Sequence, residues 1–323
     1  MAETTFGQAF AQGLWEEMER DPNIVVLGTD ILLRGGHFGQ VSGLGERFGA
    51  RRVVDTPISE AGIVSLGMGA ALTGLRPVVD LNFEDFILGA LDEVVNQVAK
   101  WSYMSDGRLS VPLVIRASDG AARGSGPQHS QSLEAWLAGT PGLKVVVPST
   151  PEDVKGLLKT ALRGRDPVVF LMHKMLSNIR QEVSAQDVCV PFGQAAVRRA
   201  GSDVTIIAYG IMVSRALRAA NVLQKAGIEA EVIDLRTLSP LDTETMVGSV
   251  RRTSRAVVAH EAPRFGGFGG ELAAILQQAA FDYLDSPIVR VGGKHSPVPV
   301  AAGLQQAVLP DMEEIVSAVQ ALF

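Results

Sequence analysis

Between residues 4 and 20 apolar side chains recur at helical spacing, Phe6, Ala9, Phe10, Gly13, Leu14 and Met18, with acidic residues between them. The pattern predicts an amphipathic helix, and Asp21-Pro22-Asn23 ends it. Ile24–Gly28 follows as an unbroken apolar run closed by glycine, which reads as a buried strand leading into a loop with Gly35-Gly36. Further short strands are predicted at 52–55, 77–81, 111–116, 144–147 and 168–171, with helical patterns between them. Strands alternating with helices in this way need crossover connections, so the expected fold is α/β, a mostly parallel sheet covered on both faces. The regularity lapses from about 178 to 202, where Pro191 and Gly201-Ser202 fall. A second series then begins at Val204 and continues through strands at 229–234 and 256–260 and helices near 213–226, 242–252, 270–284 and 311–322. The expected division is a first domain over 1–185, a linker over 186–202 and a smaller α/β domain over 203–323.

A hydrophobic fraction of 46% with 20% charged residues is that of a folded globular chain and excludes disordered or fibrous classes. The 29 basic and 35 acidic residues give a net charge of −6, so no overall attraction to nucleic acid or to an anionic membrane is expected. The apolar stretches are too short or too interrupted by glycine for a membrane span of about 20 residues. The N-terminal stretch lacks a basic region followed by a long apolar run, so it does not read as a secretory signal. Cys189 is the one cysteine and has no partner for an intrachain disulfide. A cytoplasmic location is the expectation.

Three segments carry candidate chemistry. Asp55-Thr56-Pro57-Ile58-Ser59-Glu60-Ala61-Gly62 joins a strand to an Ala/Gly-rich helix. Ser59 can serve there as a helix cap and Glu60 as a favourable charge at the helix start. Alternatively, Glu60 is a working acid beside glycines that let a flat ligand approach. Gln128-His129-Ser130-Gln131-Ser132 follows the glycine-rich stretch 119–127, which suits a proton-transferring histidine at a pocket mouth as well as a surface one. His260-Glu261-Ala262-Pro263-Arg264 runs into Gly266-Gly267-Phe268-Gly269-Gly270 at a strand end. A dinucleotide fingerprint would require a further glycine at Leu272, so a tight structural turn is the plainer reading. His37, His173 and His295 lie in separate segments without metal-ligand spacing, and no nucleophile elbow or phosphate loop is present.

Taken together these motifs resemble the β subunit of the thiamine-diphosphate-dependent 2-oxo acid dehydrogenases, the decarboxylating first component of pyruvate, branched-chain 2-oxo acid and acetoin dehydrogenase complexes. The resemblance runs through 55–62, Gly74-Leu75-Arg76-Pro77-Val78, Phe83–Phe86, 92–100, Gln128–Ser132 with Trp136, 141–148, Asp234–Pro240 and His260–Gly270. It implies a pyrimidine-binding domain followed by a transketolase C-terminal-like domain, paired with an α subunit in a heterotetramer. Glu60 falls on the family's motif glutamate, which hydrogen-bonds the aminopyrimidine ring nitrogen of thiamine diphosphate and so promotes loss of the thiazolium proton. Phe86 is implied to pack the pyrimidine, with Ile58 and Asn82 nearby. His129 corresponds to a loop histidine that assists acyl transfer to the lipoyl group of the acyltransferase component. The usual Gly-Asp-Gly motif with a later Asn is not matched here, so the α chain is inferred to hold Mg2+ and the diphosphate. Some family members bind K+ mainly through carbonyl oxygens, at positions that fall on Leu113, Ala161, Leu162, Gly164 and Asp166.

This chain departs from the family at several points. It reads Gly28-Thr29-Asp30 where Gly-Glu-Glu is common, Met172 where a glutamate is usual, Met175-Leu176-Ser177-Asn178 without the usual tyrosine, and Gly89 where a glutamine is common. These changes keep open an acyloin-forming carbon–carbon ligase with the same cofactor, and a non-catalytic scaffold is the third reading.

Overall fold

The computed structural model of the chain describes residues 2–122 and 124–323. They fall into two compact units: the chain up to Asp119 with Trp136–Phe192, and Gly120–Ala135 with Gly193–Phe323. The glycine-rich segment carrying His129 thus packs with the second unit, although chain order sets it between strands of the first. Its Arg123 lies outside the described residues.

The first unit is built on parallel strands in the order Lys144–Val146, Val168–Leu171, Val114–Ser118, Arg76–Phe83, Ile24–Gly28 and Val53–Asp55. Every residue of Ile24–Gly28, Val114–Ser118 and Val168–Leu171 is buried, which is why these strands read as continuous apolar runs. The predicted strand over 111–116 starts later, at Val114, since Pro112 has no N–H to give a ladder. Helix Phe6–Arg20 opens with a capping box in which Gln8 N–H donates to Thr5 Oγ1 and Thr5 N–H donates to Gln8 Oε1. It packs on helix Pro151–Arg163. Buried Lys155 and Lys159 reach across to Glu16 at 2.8 and 2.6 Å, and Arg163 reaches Glu17. Strand Ala2–Thr5 pairs antiparallel with Arg180–Val183, an accessory ribbon that the sequence reading assigned to helix and to irregular chain.

Helix Glu60–Leu72 lies against strand Arg76–Phe83. Gly67 sets that approach, since a Cβ there would stand 2.5 Å from Val79 Cγ1. The same helix keeps Gly62, Ser65, Leu66 and Gly69 exposed, so its outer face is also apolar or small.

The second unit has the strand order Val289–Gly293, Ala256–Pro263, Val204–Ala208, Ala230–Asp234 and Ala196–Arg199, parallel except for the last pair. Ala196–Arg199 falls within the segment read as a linker. It is an edge strand with no fully buried residue and so carries no apolar run to betray it. The helix predicted over 270–284 ends at Ala280 and is followed by a 3-10 turn, Phe281–Tyr283. Two mostly parallel sheets with helices between their strands make the fold α/β in both units. Among the described residues no helix is long and apolar enough to cross a membrane.

Candidate active site

Strand Arg76–Phe83 ends in a deliberate kink. Asp80 and Arg116 are both almost completely buried and pair at 3.1 Å, while Gln40 Nε2 donates to Asp80 Oδ2 at 2.6 Å. Asp80 Oδ1 also accepts the backbone N–H of Asn82 at 2.9 Å, which holds Asn82 in the left-handed region at φ 60°. Asparagine tolerates that conformation better than most side chains. The turn breaks the register with Val114–Ser118 between Asp80 and Phe83 and launches the 3-10 segment Glu84–Ala90. Asn82 Oδ1 is left buried without a hydrogen-bond partner among the described residues.

Three of the implied cofactor residues, and the glycine departure, come from this kink and the helix it faces. Phe86 is half-buried and meets Phe83 edge-on, ring centroids 5.5 Å apart. Phe83 in turn contacts His37 at 5.2 Å and Phe38 at 5.5 Å, so the aromatic ledge is wider than Phe86 alone. The 3-10 segment packs on helix Glu60–Leu72 and brings Gly89 to its first turn. A side chain at Gly89 would begin 3.8 Å from Glu60 Oε2, so glycine leaves that carboxylate uncovered. Glu60 is the first helical residue, where the positive end of the helix favours an anion. Ser59 occupies the cap position but makes no side-chain cap hydrogen bond, so the plain capping explanation of this motif does not hold. Ile58, just before it, is 80% exposed. Asp55 Oδ1 pins the facing loop by accepting the N–H groups of Ile31 and Leu32 at 2.7 and 2.9 Å.

His129 belongs to the other unit. It closes a 3-10 turn, Pro127–His129, and is half-buried. The backbone of its segment is braced by Gly120 N–H donating to Gln131 O at 2.9 Å. His260, from the third motif, is fully buried. Burial and the nearby Arg290 charge push its pKa down to about 4. The surrounding glycines make room for the ring: a Cβ on Gly267 would stand 2.6 Å from His260 Cε1, and one on Gly292 2.9 Å from it. That steric need accounts for the glycine run after His260 without a nucleotide.

The carbonyls implied for K+ are already engaged. Arg76 Nη1 donates to Leu162 O at 2.8 Å and to Gly164 O at 2.7 Å. Leu113 O accepts Val168 N–H, Ala161 O accepts Gly164 N–H, and Asp166 pairs with Lys144 at 2.7 Å. A guanidinium thus already supplies positive charge to the carbonyls of Leu162 and Gly164, two of the five positions implied for K+. Among the described residues no group of three or more His, Cys, Asp or Glu could hold a metal ion. Of the other departures, Met172 Sδ lies 3.5 Å from Arg116 Nε, and both line a cavity of roughly 270 Å³ with Gln40, Ser177 and Asn178. Asp30 pairs with Arg34 at the surface.

Sequence reasoning missed the Asp80–Arg116–Gln40 cluster beneath the kink. A charged residue inside each of two otherwise apolar strands was the available signal.

The architecture has known counterparts. Residues 2–179 match the transketolase pyrimidine binding domain and residues 193–315 the transketolase C-terminal domain, which defines a transketolase-type protein. A solved split gene transketolase, described as an inactive beta4 tetramer, superimposes with a TM-score of 0.80 at 27% identity, covering 97% of this chain and 96% of that one. The chain belongs to the family of pyruvate dehydrogenase E1 component β subunits, being 44% identical over 98% of its length to that of Rickettsia felis, 97% of which is covered. It is also 42% identical over its full length to the Rhizobium meliloti subunit, of which it covers 70%, and 44% identical to the mitochondrial beta-2 subunit of Oryza sativa, of which it covers 85%.

Proposed function

We propose that this chain is the β subunit of a thiamine-diphosphate-dependent 2-oxo acid dehydrogenase and works with a separate α chain in an α2β2 assembly. The observation that carries the reading is the Glu60 carboxylate, set on the first helical turn and left uncovered by Gly89. The neighbouring groups suit an aminopyrimidine. Asn82 Oδ1 is an unused acceptor for a ring amino group, Phe86 offers a face to a flat heterocycle, and exposed Ile58 offers apolar surface at its edge.

When bound, thiamine diphosphate supplies the electron sink that lets a 2-oxo acid lose carbon dioxide. Glu60 holds a proton at the pyrimidine ring nitrogen and orients the ring through that hydrogen bond. Phe86 and Ile58 exclude water from one side of it. His129 donates a proton to a lipoyl sulfur as the acyl unit is handed to the acyltransferase component. Mg2+ and the diphosphate are assigned to the α chain, and K+ forms no part of the reading. Pyruvate is the favoured substrate because the relatives named above are pyruvate dehydrogenase subunits; branched-chain 2-oxo acids and acetoin are the alternatives. The domains are proposed as 1–185 and 203–323 around 186–202, with Gly120–Ala135 and strand Ala196–Arg199 packing with the second, and the location as cytoplasmic.

The test is co-expression with the α chain and assay with thiamine diphosphate, Mg2+ and an artificial electron acceptor. Turnover of a 2-oxo acid or acetoin is expected. Glu60→Gln should lower it by about 10²–10⁴-fold with an unchanged melting temperature. No turnover with any of these substrates would falsify the reading. Gly89 and Met172 favour one second reading, acyloin formation with an aldehyde or keto acid acceptor, because Gly89 frees space beside Glu60. Product analysis decides it: a new carbon–carbon bond without lipoyl acylation supports the ligase.

A further inference from the structure

The His129 segment is held at both of its ends by side chains of the second unit. At the start, Ala121 N–H donates to Glu261 Oε1 at 2.7 Å in a buried contact, and Gln305 Nε2 donates to Ala122 O at 2.9 Å. At the far end, Tyr209 Oη donates to Glu134 Oε1 at 2.7 Å, also buried. Glu261 is itself paired with Arg215 at 3.3 Å. Tyr209 is backed by the parallel ring of His260 at 6.4 Å and the edge-on ring of Phe268 at the same distance. These anchors come from three different elements: the strand end after Val204–Ala208, strand Ala256–Pro263, and helix Ala302–Val308.

The segment needs such tethers. Gly120, Gly124 and Gly126 all take positive φ, between 73° and 76°, and a chain so rich in left-handed glycine loses much conformational entropy when ordered. Within the segment the backbone is braced by Gly120 N–H to Gln131 O at 2.9 Å and by longer turn contacts, Ser125 N–H to Ala122 O and His129 N–H to Gly126 O, each at 3.3 Å. A charge-assisted or buried hydrogen bond at each end is far more restrictive.

We infer that Tyr209, with Glu261 and Gln305, positions His129 for acyl transfer to the lipoyl group, so that the second unit acts on that step through the loop it holds. The inference rests on the role proposed above for His129. Tyr209, Glu261 and Gln305 are positioning residues, since none is assigned contact with substrate. It also gives the buried His260 a purpose: as a neutral ring packed among glycines it fixes the Tyr209 ring plane, and with it the direction of the phenol hydroxyl.

The test uses the assembled α/β enzyme and compares Tyr209→Phe with the parent in three measurements. The first is acylation of a separate lipoyl domain, expected to fall about tenfold, the factor for one buried hydrogen bond to a charged partner. The second is 2-oxo acid turnover with the artificial acceptor, expected to stay within twofold; an equal loss in both assays overturns the proposal. The third is amide hydrogen exchange over 121–135, expected to quicken in Tyr209→Phe while the sheet strands of the second unit keep their protection. Unchanged exchange there also overturns the anchoring. Repeating the substitution in a His129→Ala background closes the cycle: Tyr209→Phe should then cost nothing more in lipoyl acylation. A full tenfold loss in that background would mean Tyr209 acts elsewhere. If His129→Ala alone leaves lipoyl acylation unchanged, the role given to His129 fails, and the exchange measurement still judges the anchoring by itself.

Discussion

His260 illustrates how a single side chain can look catalytic in a sequence and serve packing in the fold. Its position beside Glu261 and a glycine run invites a chemical reading, yet the ring is enclosed and the glycines are the space it occupies. Burial and Arg290 hold its pKa at about 4 against an ordinary 6.5, so between those values an unfolded chain binds a proton that the folded chain does not. Stability therefore falls as pH drops from 6.5 toward 4, by up to about 3 kcal/mol from this group, and is flat in it above 7. Thermal midpoints at pH 7.5 and 5 should show the loss, and His260→Gln should make the second-unit transition markedly less sensitive over that range. An unaltered acid slope in the variant would assign the effect to other groups. Glu60 stood out as a candidate because it sits in a short local motif at a helix start, while Ile58 and Phe86 came only through the family resemblance. The anchors of the His129 segment were not, since Tyr209 and Glu134 are 75 residues apart and Ala121 and Glu261 are 140 apart. Periodicity and motif spacing carry no information at that range.

Among elements, the buried central strands were readable, as were Lys144–Val146 and the edge strand Val53–Asp55, but Ala196–Arg199 and the Ala2–Thr5 ribbon were not. Ile24–Gly28 and Val204–Ala208 are buried along their whole length and advertise it with uninterrupted apolar residues. Ala196–Arg199 and the Ala2–Thr5 ribbon pair only at a margin and carry no continuous apolar run, so they resemble loop. Helix Glu60–Leu72 lies between these cases. Its glycines look like breakers, but Gly67 is the contact that lets the helix sit on Val79 and so places Glu60 beside Gly89. Gly67→Ala should therefore destabilise despite its better helix propensity, by about 1–3 kcal/mol from overpacking against a propensity gain of roughly 1. Gly69→Ala, where nothing lies within 4 Å of the new carbon, supplies the control and should hold or raise the melting temperature. A matched response of the two variants would remove the packing argument for Gly67.

On the scale of the whole molecule, the two α/β units were visible from the break near residue 200, but the exchange of Gly120–Ala135 to the second unit was hidden, because it depends on partners rather than on local pattern. The potassium question has the same character. The carbonyl oxygens of Leu162 and Gly164 belong to the end of helix Pro151–Arg163, where negative partial charge gathers and any cation is favoured. Arg76 fills that need from within the chain and also reaches Asp21 at 3.4 Å, so one guanidinium joins the ends of two helices to the start of a central strand. An ion would have to compete with a tethered charge that gives up no translational freedom on binding. Melting of the protein in equal concentrations of KCl and NaCl should accordingly give the same midpoint, and Arg76→Met should lower it by several degrees, the cost of hydrogen bonds from a charged donor in a chain of this size. A midpoint several degrees higher in KCl than in NaCl for the unaltered chain would show that the carbonyls take the ion in spite of Arg76. Should potassium selectively raise the midpoint of Arg76→Met alone, the arginine would be identified as the built-in substitute for the ion.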